Sequence, residues 1–156
     1  MRAKIAKKFE YDGLGFPIML LNVPMVNIRG IEVPDIDYNI LQRTVLFQLC
    51  QKAVPLSGNE VRFIRQYLEL NYTEFAKTFG VTHASVIHWE AAKNNRAKIT
   101  PSLEICIRLH ILDSLKADNK IFRKTFREFD YNKFRLQKSF EDIDFIEIDS
   151  NALADA

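Results

Sequence analysis

Between residues 57 and 115 apolar side chains recur at three- and four-residue intervals, the period of helices that each bury one stripe. Phe75, Phe79, Val81, Val86 and Trp89 fall where the inward faces of two short helices would meet. Thr82, His83, Ala84 and His88 are left facing outward. Start signals divide the stretch. Ser57 with Glu60 and Asn71 with Glu74 have the spacing of capping boxes, in which a side-chain oxygen takes up an orphan amide of the first turn. Thr82 is a further cap, and Thr100 followed by Pro101 marks another start, because proline is tolerated at the first helical position. The pattern predicts helices at roughly 57–70, 72–79, 82–93 and 100–115. Ala76 is small where two backbones would cross, and Gly80 can adopt positive φ at the turn.

The flanks follow other periods. Phe16 to Val33 is rich in Ile, Leu, Val and Met but interrupted by Pro17 and Pro24 and closed by Pro34, which favours short strands, a hairpin over 16–22 and 25–33. Asp35 to Lys52 reads as a helix. Its apolar set, Ile36, Ile40, Leu41, Val45, Phe47, Leu49 and Ala53, is broader than one domain face requires, so core is the first expectation and a dimer contact the second. Beyond residue 118, Ile121, Phe122, Phe126 and Phe129 recur at helical spacing, predicting a basic amphipathic helix. Asp144 to Asp149 alternates like a strand that adds an edge to the N-terminal sheet, and residues 150–156 read as frayed. There is no internal repeat.

Composition changes this picture in three places. With 156 residues, 47% of them hydrophobic, the chain can bury one sizeable core or a small domain beside a helical one. The net charge of +2 conceals two opposed blocks. Residues 119–140 carry seven cations against Glu128 and Asp130, a balance of +5, whereas residues 141–156 carry six carboxylates and no cation. Such blocks suit intramolecular pairing, a nucleic-acid contact from the basic block, or a solvated face with a loose tail. Cys50 and Cys106 each sit on the apolar face of an expected helix, so buried free thiols are expected, with a disulfide left open. No apolar run approaches the roughly 20 residues that span a bilayer. The start, Met1-Arg2-Ala3-Lys4, leads into no apolar signal segment, and a soluble, cytoplasmic protein is expected.

Residues 56–112 resemble the Cro/C1-type (XRE-like) helix-turn-helix of phage repressors and bacterial regulators. Trp89-Glu90 at the end of the second helix of the motif and Arg65 in the preceding helix carry the likeness. The resemblance implies that Arg65 pairs with Glu90, and that Asn71 and Tyr72 contact phosphate, although the family often has glutamine where this chain has Tyr72. More distantly, Leu56-Ser57-Gly58-Asn59-Glu60-Val61-Arg62-Phe63-Ile64-Arg65-Gln66-Tyr67-Leu68 with Phe75-Ala76 and Trp89-Glu90 resembles the C-terminal half of MqsA-like antitoxins. That family commonly begins with a zinc ribbon of two CxxC pairs. Here Asn27-Ile28-Arg29-Gly30 stands where one pair would fall, so zinc is not carried over.

The expected fold is therefore mainly α with a small β component: a helix-turn-helix bundle of four to five helices flanked by a short N-terminal β-rich segment. Its expected divisions are 1–53 for the β-rich segment and a dimer or partner region, 54–116 for DNA binding, 117–140 for the basic helix and 141–156 for an acidic strand or tail. The expected function is a sequence-specific transcriptional regulator, a dimeric repressor reading an inverted repeat in double-stranded DNA with helix 82–93. The alternative is an antitoxin-like protein that neutralises a partner toxin and autoregulates its operon. Base readout falls to His83, Ala84, Ser85 and His88, because imidazole can donate to guanine N7 or O6 and Ala84 can meet a thymine methyl. Phosphate contact falls to Asn71, Tyr72, Thr82, Lys93, Asn94, Arg96 and Lys98. No cofactor, metal or membrane contact is expected. An enzyme is not expected either, since His83, His88 and His110 form no recognised ligand spacing and Glu90 has Arg65 as a better partner than His88.

Overall fold

The computed structural model describes residues 4–130 and 146–153. Among these the chain forms, in order, β1 (Lys4–Tyr11), β2 (Ile18–Ile28), β3 (Ile31–Pro34), α1 (Tyr38–Gln51), α2 (Gly58–Tyr67), α3 (Tyr72–Phe79), α4 (His83–Ala91), α5 (Pro101–Ser114), α6 (Asn119–Glu128), β4 (Ile146–Asp149) and a 3₁₀ turn (Ser150–Leu153). Six helices with a four-stranded mixed sheet make an α+β fold. The expectation of a mainly α bundle with a minor β segment is corrected by that sheet.

β2 is the axis of the sheet. It pairs antiparallel with β1 from Tyr11↔Ile18 to Lys4↔Met25. On its other edge it pairs antiparallel with β3 over Met25–Ile28 and parallel with β4 over Ile18–Leu21. The strand was expected to break at Pro24 but runs straight through it. A residue's N–H and C=O point to the same edge of a strand, and Pro24 accepts from the Asp35 amide at 2.7 Å on the β3 side. Its missing N–H therefore faces the gap that β3 and β4 leave at residues 22–24, where no ladder bond is lost. The hairpin turns instead at Arg29-Gly30.

β1 has no counterpart among the expected elements. Ala6, Phe9 and Tyr11 are its half-buried residues, and the step of three between the first two breaks the alternation by which a strand is recognised. The same shift occurs on β2, where buried positions pass from Ile18 and Leu20 to Val23 and Met25 across Asn22, held at φ 52°. Of the residues 150–156 expected to fray, Ser150–Leu153 form a 3₁₀ turn instead: Leu153 is buried and the Ser150 hydroxyl donates to the Asn22 carbonyl. Residues 131–145 and 154–156, which hold much of the expected basic helix, the start of the expected C-terminal strand and most of the acidic block, lie outside the described residues.

The chain divides into two compact units, the first containing residues up to Val45 together with β4 and the 3₁₀ turn, the second running from Leu46. The first unit buries Phe16, Ile18, Leu20, Val23, Leu41, Val45 and Ile148. The second buries Leu49, Leu56, Ile64, Phe75, Val86, Ile107, Ile111 and Leu112. Within the second unit α5 carries two charges into the interior. Glu104 is fully buried, accepts from the Leu56 amide at 2.6 Å and pairs with Arg108 at 3.3 Å. Arg108 also donates to the carbonyls of Cys50, Lys52 and Val54. One guanidinium thus takes up a carbonyl of the last turn of α1, where helical partners run out, and two of the chain just beyond it. Cys50 is buried as expected, but Cys106 is exposed, because α5 turns its Glu104, Ile105, Ile107 and Arg108 inward instead.

Candidate nucleic-acid interface

The candidate site is built on α3, the turn after it and α4. α3 starts at Asn71, whose side-chain oxygen accepts from the Glu74 amide at 2.8 Å, while the Asn71 amide donates to the Glu74 carboxylate at 3.1 Å. It stops at Gly80, which takes the left-handed conformation at φ 70° and ψ 31°. The Val81 amide then reaches back to the Ala76 carbonyl at 2.9 Å, closing a Schellman-type turn. Thr82 caps α4 through the Ser85 amide at 3.2 Å, and the two hydroxyls lie 3.0 Å apart. A three-residue connection thereby fixes the direction of α4.

The two faces of α4 differ sharply. Val86, Trp89 and Glu90 are buried, whereas Thr82, His83, Ala84 and His88 are exposed. Ser85 is half-buried and occupied with the cap. Ile87, which was not singled out in the sequence, is 45% exposed on the outer face. Apolar burial on one side and open polar groups on the other leave the N-terminal half of α4 as a projecting edge.

A buried ion pair secures the other end of α4. Arg65 Nε meets Glu90 Oε2 at 2.7 Å and its Nη2 meets Oε1 at 3.0 Å, a two-pronged contact that one rotamer of each residue satisfies. The third prong donates to the Leu70 carbonyl at 3.0 Å, and the guanidinium lies 4.2 Å from the centre of the Tyr72 ring. Arg65 thus joins the exit of α2, the start of α3 and the last turn of α4. The hydrogen bonds to Glu90 push its pKa upward, so the charge is permanent.

A further restraint comes from Gly58, which the sequence reading passed over. A Cβ there would lie 2.5 Å from the Trp89 carbonyl oxygen and 2.7 Å from the Lys93 nitrogen. The first turn of α2 therefore sits directly on the last turn of α4. The Gly58 and Asn59 amides donate to the carbonyls of Asn95 and Lys93, and Asn59 Nδ2 donates to Asn94 Oδ1 at 2.9 Å. Ser57 and Arg96 form a single β-bridge. The loop after α4 is strapped to α2 by these bonds, with Lys93, Asn94 and Lys98 exposed and Arg96 half-buried.

No family model, curated protein or solved structure matches this chain.

The fold brings Thr82, His83, Ala84 and His88 together on one edge, with Tyr72 37% exposed at the start of α3. Asn71 is exposed, although its side-chain oxygen is already spent on the cap. His110 stands apart, edge-on to Phe79 at 5.3 Å between ring centres. Among the described residues no three of His, Cys, Asp and Glu cluster in a way that could hold a metal ion. Among the same described residues, no helix is long and apolar enough to cross a membrane.

Proposed function

We propose that this protein binds double-stranded DNA in a sequence-dependent manner and acts as a dimeric transcriptional regulator, with α4 as the reading helix. One observation carries the reading: α4 presents an exposed edge of Thr82, His83, Ala84 and His88 while its opposite face is locked by Val86, Trp89 and the Arg65–Glu90 pair. Reading a base edge requires side chains held in a fixed register with the groove. A helix tied at both ends meets that need. His83 and His88 offer donors to guanine, Ala84 and the exposed Ile87 offer apolar surface to thymine methyls, and Lys93 and Lys98 supply positive charge for the phosphates. The resemblance to Cro/C1-type domains points the same way.

One such helix covers only a few base pairs, too few to single out one site among many competing ones. The proposal therefore includes two copies on an inverted repeat, their reading helices about one helical turn, ~34 Å, apart. Selection of bound duplexes from a random pool tests this directly. The expected outcome is enrichment of a near-palindrome with half-sites spaced by about one turn. His88→Ala should relax preference at one base step by roughly 1–3 kcal/mol. Lys93→Ala should weaken all duplexes alike and reduce the salt dependence by about one counterion. A pool that stays random after repeated rounds would refute the reading.

A further inference from the structure

Among the described residues, one face of the first unit's sheet is left uncovered. Paired residues on neighbouring strands share a face, and the register Ile5↔Pro24, Val26↔Val33 and Ile28↔Ile31 puts six apolar residues on the same side. Four of them are open to solvent: Ile5 is 64% exposed, Val26 38%, Ile28 55% and Ile31 66%. Together they present on the order of 400 Å² of apolar surface, the size of the largest patch on a typical monomer, which is often functional.

At one end this face runs into a groove of about 470 Å³ over Ile5 and Pro24, floored by Ile36, Ile40 and Leu153 and edged by Asp35 and Asp37. At the other end the β2–β3 hairpin carries a complementary shape and charge. Ile28 and Ile31 stand up as two knobs on either side of a turn that holds the exposed cation Arg29 at φ 53°. Knobs with a cation at one end and a hole with carboxylates at the other form a self-complementary surface.

We infer that this sheet face binds a second copy of the same chain, packing sheet against sheet about a two-fold axis that crosses β2 at Val26. An axis lying in the interface and perpendicular to β2 reverses the strand direction. It places Ile28 over Pro24 of the second copy, Ile31 over the groove beside it and Arg29 near Asp35, and symmetry makes each contact twice. The sheets would lie ~10 Å apart, as in stacked sheets generally. The apolar patch is about half of the ~800 Å² per partner that a stable interface buries, the polar rim supplying the rest. The free edge of β1 is the poorer route, because Lys4, Lys7 and Lys8 would oppose the same lysines of a partner strand. The DNA reading calls for two copies, but this surface stands on the first unit alone and is tested without DNA, so either can fail without the other.

Sedimentation or light scattering of the full chain without DNA is the first measurement, and a dimer in the micromolar range is expected. Ile31→Glu, at an exposed position, should yield a folded monomer, its fold checked by circular dichroism. Arg29→Asp and Asp35→Arg should each weaken the dimer roughly tenfold or more, since each sets like charges against one another across the axis. An equimolar mixture of these two variants should dimerise again, because every reciprocal contact then joins Arg to Asp. No fold within one chain and no unrelated partner predicts that rescue. A wild-type monomer throughout the micromolar range, a dimer untouched by Ile31→Glu, or two charge variants that fail to restore each other would overturn the proposal, the first of these leaving the face to a different protein.

Discussion

The two cysteines occupy opposite environments, and their chemistry should divide accordingly. Cys50 is buried near the end of α1, and burial pushes its thiol pKa up to about 12, against the opposing pull of the Arg108 charge. The thiolate is the reactive form, so Cys50 should be inert at neutral and mildly alkaline pH, whereas exposed Cys106 should react. Labelling with an alkylating reagent should modify one thiol in the native protein and both after denaturation. The same shift has a consequence for stability. A thiol whose folded pKa lies above its unfolded value of about 9 stabilises the fold below that value, and the contribution is lost as pH rises toward 12. Alkaline unfolding that occurs at lower pH in wild type than in Cys50→Ala would fit this sign; rapid double labelling of native protein would contradict the burial.

At the level of elements, the α2–α3–α4 joint depends on two glycines for different reasons. Gly80 is needed for its backbone, since nothing lies within 4 Å of a Cβ there but φ is 70°. Gly58 is needed for its size, since a Cβ would meet main-chain atoms of α4 and the loop after it. Gly80→Ala should cost about 1–2 kcal/mol and Gly80→Asn less, because asparagine tolerates the left-handed region. Gly58→Ala should cost roughly 1–3 kcal/mol, and Gly58→Asn should be worse, as overpacking grows with volume. Thermal melts of the four variants separate the two mechanisms, and a Gly58→Asn protein as stable as wild type would remove the contact argument.

This joint was also the part most legible in the sequence. The caps at Ser57, Asn71 and Thr82 and the stop at Gly80 are local signals, and the span expected for α3 is the one observed. Gly58 was not legible, because its constraint comes from Trp89 and Lys93, some thirty residues away. The sheet was read poorly for related reasons. β1 hides its inward side chains behind a change of phase at Asn22 and Lys7, and Pro24 is harmless only because two strands from distant parts of the sequence leave a gap beside it. Glu104 and Arg108 stand at a helical i, i+4 spacing, which resembles an ordinary surface pair until the carbonyls of Cys50, Lys52 and Val54 are seen around them.

For the whole molecule, the parallel pairing of β4 with β2 makes the first unit depend on both halves of the chain. Ile148 and Leu153 are buried in that unit. A variant ending at residue 145 should lose hydrogen-exchange protection at Ile18–Leu21 while the amides of α2, α3 and α4 stay protected. Equal loss across both units would show that they do not open separately.

During synthesis, β2 leaves the ribosome more than a hundred residues before the strand that completes it. At translation rates of 5–20 residues per second, that interval is on the order of ten seconds. Throughout it the newborn sheet has an open edge at Ile18–Leu21, the kind of template on which nascent chains of one message can join each other. The helices from α2 to α5 are complete by then, so this part of the second unit can be formed before the segment that completes the first unit has been made.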